Sequence, residues 1–250
     1  MRNASAIANL RAQIAQIEGQ SRPNGGVLPF GLPVVDARLP GGGLALGALH
    51  EVTGGGQGSI DAAAAALFSA GIAARTEGPV FWICTRPDLF APSLAQAGLP
   101  PDRVIYVEAG DDKTVLACAE EALRHGSLGA VVAEIACMTM TASRRLQLAV
   151  EGSRTIGLAL RRWRRPADAT DFGQPTSAVT RWRISSLPSS PLPVPGVGRH
   201  RWFVELVRTR AGESAAFELE ACDEQGHLAV PAELADRPVA TGGWGHSAVG

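Results

Sequence analysis

The chain has 250 residues, 46% of them hydrophobic, with a net charge of −1. That is enough apolar material to bury the core of one medium α/β domain, and it excludes wholesale disorder. No apolar run reaches the length of a transmembrane helix, and Met1 to Gly19 lacks a signal-peptide core, so the expected location is the cytosol.

The charge is unevenly placed. Residues 144–210 carry 13 cations against 4 acids, while both flanking regions are acidic. A segment so basic within a neutral protein points to an anionic partner better than the net charge does. Lys113 is the sole lysine, against 22 arginines, as codon usage in a GC-rich genome would give. The four cysteines (Cys84, Cys118, Cys137, Cys222) and five histidines have no metal-ligand spacing, so no metal site and no cofactor is expected.

In chain order, Ile7, Leu10, Ile14 and Ile17 recur at helical spacing, which predicts an amphipathic helix packed on its own domain or on a partner. Gly19 and the Arg22 to Gly26 run end it. Gly41 to Gly43 is a loop, and Ala48 to Thr53 a short strand. Gly54 to Gly58 is a glycine-rich turn, followed by an alanine-rich helix over Ala62 to Arg75. Strands follow at Val80 to Thr85, Val104 to Glu108, Gly129 to Ile135 and Thr155 to Leu160. Helices alternate with them at Leu89 to Ala97, Lys113 to His125 and Ser143 to Arg154. This alternation predicts a mostly parallel sheet flanked by helices on both faces.

The pattern then changes. Arg161 to Thr180 is polar and basic and is expected to be a long loop. Arg181 to Leu187 is a strand, Pro188 to Gly198 a loop, and Trp202 to Arg208 with Ala215 to Ala221 a hairpin. The expected organisation is an N-terminal helix and linker over 1–24, one domain over 25–232, and a tail over 233–250 expected to be disordered.

Strand, glycine loop and helix in succession form the context of a phosphate-binding loop. The pattern G-x-x-x-x-G-K-[ST] falls on Gly54, Gly55, Gly56, Gln57, Gly58, Ser59, Ile60 and Asp61. Only the first glycine fits. Ser59 replaces the second glycine, Ile60 the lysine, and Asp61 the hydroxyl that would hold magnesium. No arginine or lysine lies between Arg38 and Arg75. Without the lysine, phosphate charge has no local counterion, and Asp61 adds repulsion. Two readings stay open: a structural loop whose helix Ser59 or Asp61 caps, worth about 1 kcal/mol, or a residual anion site on backbone N–H groups. Glu120 and Glu121 read as solvated charge and Asp111-Asp112 as a helix N-terminal signal, so no catalytic constellation is expected.

From Pro29 onward the chain resembles RecA recombinases. Gly47-Ala48-Leu49-His50-Glu51-Val52-Thr53-Gly54 stands where that family has the strand entering its phosphate loop. Phe81-Trp82-Ile83 resembles the next core strand, and Ala130-Val131-Val132-Ala133-Glu134 the Walker B strand with Glu134 at the acid position. Arg201 to Val207 and Ala215 to Leu219 resemble the late hairpin. The resemblance implies a RecA-like core. It also implies a catalytic glutamate where this chain has Thr85-Arg86, and a nucleotide-sensing glutamine where it has Arg161-Arg162. Among RecA relatives, these departures and Arg181-Trp182-Arg183-Ile184 are most similar to the ImuA family, accessory proteins of damage-induced mutagenesis related to the SulA division inhibitors.

That likeness implies a non-hydrolysing role in SOS-induced translesion synthesis, with an ImuB-like polymerase homologue and an error-prone replicative-type polymerase as partners. Two alternatives are a SulA-type inhibitor binding a cytoskeletal GTPase and a DNA-dependent ATPase. The family's DNA-contacting loop corresponds to Arg161 to Thr180. Across the basic segment 144–210, Trp163, Trp182 and Trp202 each have arginine neighbours, a mixture suited to single-stranded DNA. The candidate contacts are Arg161, Arg162, Trp163, Arg164, Arg165, Arg181 and Arg183, with an acidic protein surface or plain solvation as the competing roles. Strand alternation assigns Trp182 with Ile184, and Trp202 with Val204 and Leu206, to the core.

Overall fold

A computed structural model describes residues 25–56, 58–163, 172–189, 192, 194–196, 198–210 and 212–231. The expected N-terminal helix with Ile7, Leu10, Ile14 and Ile17, the tail, Arg164 and Arg165 lie outside the described residues. The described residues open with a short antiparallel pair, β1 (Val27–Leu28) and β2 (Leu44–Ala45), around a one-turn helix α1 (Pro33–Asp36). The sequence pattern was too short to signal any of these three.

The core elements follow as β3 (Ala48–Gly54), α2 (Ser59–Ala74), β4 (Val80–Cys84), α3 (Ala91–Gln96) and β5 (Val104–Glu108). Then come α4 (Asp112–His125), β6 (Ala130–Ile135), α5 (Met140–Val150), β7 (Ile156–Arg161), β8 (Thr180–Leu187), β9 (Arg201–Thr209) and β10 (Ala215–Glu220). They build one eight-stranded sheet in the order β10-β9-β8-β3-β7-β6-β4-β5. From β8 to β5 every pair is parallel, and β8, β9 and β10 form an antiparallel extension.

Strand alternation divides the core into two layers. On one face α2 covers Val52, Trp82, Val132, Leu158, Leu160, Trp182, Ile184, Trp202, Val204 and Leu206. The assignment of Trp182 and Trp202 to the interior is thus correct. The alanines of α2 allow this close approach, and its far side is also covered, because Gly71 packs against Cys222 and Gly226. A helix apolar on nearly every side is the sequence counterpart of that double burial. On the opposite face α4 and α5 cover Leu49, Ile83, Val131, Ala133, Ile135 and Ala159. Asp111 caps α4 through Thr114 N–H (2.8 Å), as its position in the sequence predicted. The C-terminal ends of β3, β4, β6, β7 and β8 share one edge, where open α/β sheets place their ligands.

Several boundaries differ from expectation, α2 among them, which begins at Ser59 rather than Ala62. α5 begins earlier, capped by Thr139, and stops at Val150, where a turn through Gly152 (φ +83°) replaces its expected last turn. Arg161 belongs to β7 rather than to a loop.

Candidate functional site: the edge where a nucleotide would sit

At the end of β3 the glycine loop is packed against the tip of β8. Gly55 N–H donates to Ile184 O (2.8 Å). A Cβ on Gly54 would stand 2.8 Å from the Asp61 carbonyl carbon, so only glycine allows the loop to lie this near α2. The predicted capping role is corrected: Gly58 is the N-cap of α2 and no side chain caps it. Asp61 instead accepts from Ser186 N–H on β8 (2.8 Å), and its other oxygen lies 2.5 Å from where a Cβ on Gly56 would be. Its carboxylate therefore hangs over the loop. Ser59 and Ile60 are exposed, with Ile60, at the lysine position, 70% accessible.

At the same edge, past the ends of β4, β6 and β7, lies a polar cleft of about 460 Å³, lined by Thr85, Arg86, Asp88, Asp112, Glu134, Ile135, Ala136, Arg162 and Trp163. Glu134, at the Walker B position, is 5% exposed on the α2 face. Trp82 Nε1–H donates to one of its oxygens (2.6 Å) and Arg162 Nη1 to the other (2.5 Å). Arg162 also spans to Asp88 with two bonds, 2.8 and 3.1 Å. Burial pushes the Glu134 carboxyl up, against the opposing pull of Arg162 and Trp82. The hydrogen bond from Arg162 holds Asp88 below the usual carboxylate range. Burial alone would lower Arg162, but its bonds to Asp88 and Glu134 outweigh that and raise it. A guanidinium thus spans the position where the resembled family keeps a sensor glutamine, and it bridges two acids. Asp112 accepts from the Ala136 and Cys137 N–H groups (3.0 and 3.1 Å), fixing the turn after β6.

The opposite face of the same edge holds a second network. Glu51, in the middle of β3, is fully buried. Arg161 from β7 donates to it at 2.7 Å; Arg181 from β8 donates from Nη2 to the same oxygen at 3.5 Å, while its Nε lies 2.7 Å from the other oxygen without hydrogen-bond alignment. Thr176 Oγ1–H also donates to Glu51 (2.9 Å). The remaining guanidinium groups reach the carbonyls of Ala136 and Phe172, and Arg181 lies 4.4 Å above the Phe172 ring. This network anchors residues 172–176 onto the sheet.

Arg161 and Arg181 are therefore corrected as DNA contacts, since their side chains are 0% and 7% exposed and face Glu51. Alternation did place Arg181 and Arg183 opposite Trp182, but residues 172–178 cover that side. Arg183 remains 38% exposed, 3.6 Å from Glu205. Trp163 packs edge-on against Phe172 at 5.9 Å instead of standing free. Of the candidate interface, Arg162, Trp163 and Arg183 meet near this edge. Glu51 was the residue missed; its signal was a lone acid inside an apolar strand, which needs a cation when buried. Among the described residues no group of His, Cys, Asp and Glu could hold a metal ion, and no helix is long and apolar enough to cross a membrane.

The sheet order, the loop after β3 and the acid ending β6 define a RecA-like core. The fold is similar to that of the RadB recombinase (TM-score 0.53, 18% identity, 82% of this chain and 100% of that one). No family model matches the chain. Its sequence is 41% identical to Protein ImuA from Caulobacter vibrioides strain NA1000 / CB15N over 238 residues, 90% of this chain and 96% of that protein; the same protein from strain ATCC 19089 / CIP 103742 / CB 15 matches equally. The chain belongs to the ImuA family.

Proposed function

We propose that this protein is an accessory factor of SOS-induced translesion synthesis and mutagenesis that works without hydrolysing nucleotide. It joins an ImuB-like polymerase homologue to an error-prone replicative-type polymerase, with single-stranded DNA as a further partner. The partner classes come from the family resemblance. The observation that carries the non-hydrolysing part is the saturated edge: Arg162 bridges Asp88 and Glu134, and Asp61 overhangs a glycine loop without a lysine. A triphosphate entering there would meet three carboxylates and would have to break an internal ion pair.

Titration with labelled ATP and Mg²⁺ tests this: no micromolar binding is expected. Hydrolysis that disappears when residues 54–61 are altered would overturn the reading. A pull-down with an ImuB-like protein from the same organism tests the partner, and absence of co-elution would remove it. For DNA, Arg164→Glu, Arg165→Glu and Arg183→Glu together are expected to weaken binding to a single-stranded oligonucleotide. The salt slope should flatten by about 0.7 per lost phosphate contact. Unchanged binding would end the assignment of this segment.

A further inference from the structure

Helix α5 presents three different flanks. Ser143, Leu146, Gln147 and Val150 are buried, and Ala142 and Arg145 line the groove beside α4. The remaining flank, an arc of about 80° turned away from α4, carries Met140, Arg144 and Leu148 at successive i, i+4 positions. Met140 and Leu148 are 45% and 58% exposed, and Arg144 is exposed between them. An apolar–basic–apolar stripe open to solvent gains nothing for the fold.

Residues 176–179 join this flank to β9. Ser177 N–H donates to Ser143 Oγ (3.0 Å) and its hydroxyl to Met140 Sδ (3.5 Å). On the other side Thr176 O accepts from Arg208 Nη1 (3.1 Å) and Val179 O from Arg210 N–H (3.0 Å). Arg208 and Arg210 are exposed. Among the described residues no carboxylate pairs with Arg144, Arg208 or Arg210. Glu151 at the end of α5 accepts from Gln147 (3.1 Å), Glu205 on β9 lies 3.6 Å from Arg183, and Glu213 lies 4.0 Å from Arg38. The surface thus joins two exposed apolar side chains to three cations that lack an acid, which calls for an anionic partner with apolar groups of its own.

Nucleic acid and protein ask for different surfaces. A single strand stacks its bases on aromatic rings, and the exposed large aromatics among the described residues, Phe90 and Tyr106, lie at the start of α3 and on β5 instead. A thioether and a leucine suit the apolar side chains of another protein. Met140 and Leu148, eight residues apart, stand about 12 Å from one another along α5, close to the roughly 10.5 Å between positions i and i+7 of a facing helix. We propose that this surface docks an acidic amphipathic helix of a partner protein. Its apolar stripe lies on Met140 and Leu148, and its carboxylates meet Arg144, Arg208 and Arg210. The proposal is the same whichever protein carries that helix, and it is separate from the DNA contacts assigned to Arg164, Arg165 and Arg183.

The test uses the full chain and a labelled helical peptide of about four turns, with leucines at i and i+7 and glutamates beside them. A scrambled peptide of the same composition and an oligothymidylate are the controls. Fluorescence anisotropy should show micromolar binding of the peptide and at least about fivefold weaker binding of the scrambled one. Met140→Ala with Leu148→Ala should weaken the peptide about tenfold and leave the oligothymidylate unchanged. Arg144→Glu with Arg210→Glu, which keeps the Arg208 bond to Thr176, should weaken the peptide by a similar factor and flatten its salt dependence. Circular dichroism melts confirm that both variants fold. No peptide binding below about 0.5 mM, or equal binding of the scrambled peptide, would overturn the proposal. So would peptide binding that ignores Met140→Ala with Leu148→Ala; if oligothymidylate binding then falls with the arginine variant, the surface belongs to nucleic acid instead.

Discussion

The Glu51 network makes the sharpest prediction. Its carboxylate is fully buried, and so is the Arg161 guanidinium; Arg181 is 7% exposed. Removing the acid takes away the buried carboxylate that both guanidiniums face. Breaking a buried pair by deleting one partner costs about 3–5 kcal/mol. At this chain length each kcal/mol moves the melting temperature by about 2–4 °C. Glu51→Ala should therefore lower it by roughly 12 °C. Glu51→Gln keeps the volume and the acceptor for Thr176 but not the charge, and it should lose most of the same amount; that separates electrostatics from cavity formation. Arg181→Met should cost less, because Arg161 still neutralises Glu51. The triple variant Glu51→Leu, Arg161→Met and Arg181→Met puts an apolar cluster of similar volume in the same place and should return stability near the starting value. Circular dichroism melts give the numbers, and limited proteolysis should show faster cleavage near 172–178 in Glu51→Ala. A shift below about 3 °C for Glu51→Ala would refute the idea that charge compensation anchors this loop.

Three further outcomes follow from the geometry. His50 is buried, donating from Nε2 to Ala45 O (2.9 Å) while Nδ1 meets Thr180 Oγ1 (2.7 Å); burial lowers its pKa from 6.5 to about 4. Its stabilisation is present above pH 6.5 and is lost as pH falls toward 4, about 3 kcal/mol in all; His50→Gln should flatten the urea midpoint across that window, and an unchanged slope would exclude the assignment. Arg162→Ala strips Glu134 of its cation and leaves a buried carboxyl whose pKa is raised further, so the folded state prefers the protonated form. The melting deficit of that variant should widen as pH rises from about 4 to 8, and adding Glu134→Gln should remove the widening. Ser59→Gly, Ile60→Lys and Asp61→Thr together restore the phosphate-loop pattern and should give measurable affinity for labelled ATP without hydrolysis, because Arg162 still spans Glu134; turnover by this variant would contradict that account.

The strands were legible because each is a short apolar run between turn residues. Val104–Glu108 has the bounds expected from sequence, and Val80–Cys84 and Ala130–Ile135 differ by one residue. Helix ends were harder. The run from Ser143 to Arg154 continues the helical pattern past Val150, but the chain turns through Gly152 (φ +83°), and Gly47 packs against Ser153 just beyond. The glycine loop's missing lysine is visible in one dimension, but the use of Asp61 is not, since its partner Ser186 lies 125 residues away. The same holds for the arginines. Composition could count a basic segment from 144 to 210, yet Arg161, Arg162 and Arg181 direct their charge at Glu51, Glu134 and Asp88. A period-two pattern shows which residues share a face of a strand; it does not show whether a later segment covers that face, and residues 172–178 do so here.

A polar edge without a bound anion faces a physical problem: groups able to hold an anion become a liability when they have no partner. In this protein several of them have internal partners, although the N-terminus of α2 has no side-chain cap. The Gly55 N–H is taken by Ile184 O, the Ser186 N–H by Asp61, the Ala136 and Cys137 N–H groups by Asp112, and the Glu134 oxygens by Trp82 and Arg162. The acids that remain are set against cations from neighbouring strands instead of a metal. That self-satisfaction lets a RecA-like sheet keep its ligand edge ordered on its own. It also sets a threshold for any nucleotide, which must give back at least what the Arg162 bridge and the Asp61 contact contribute if it displaces them.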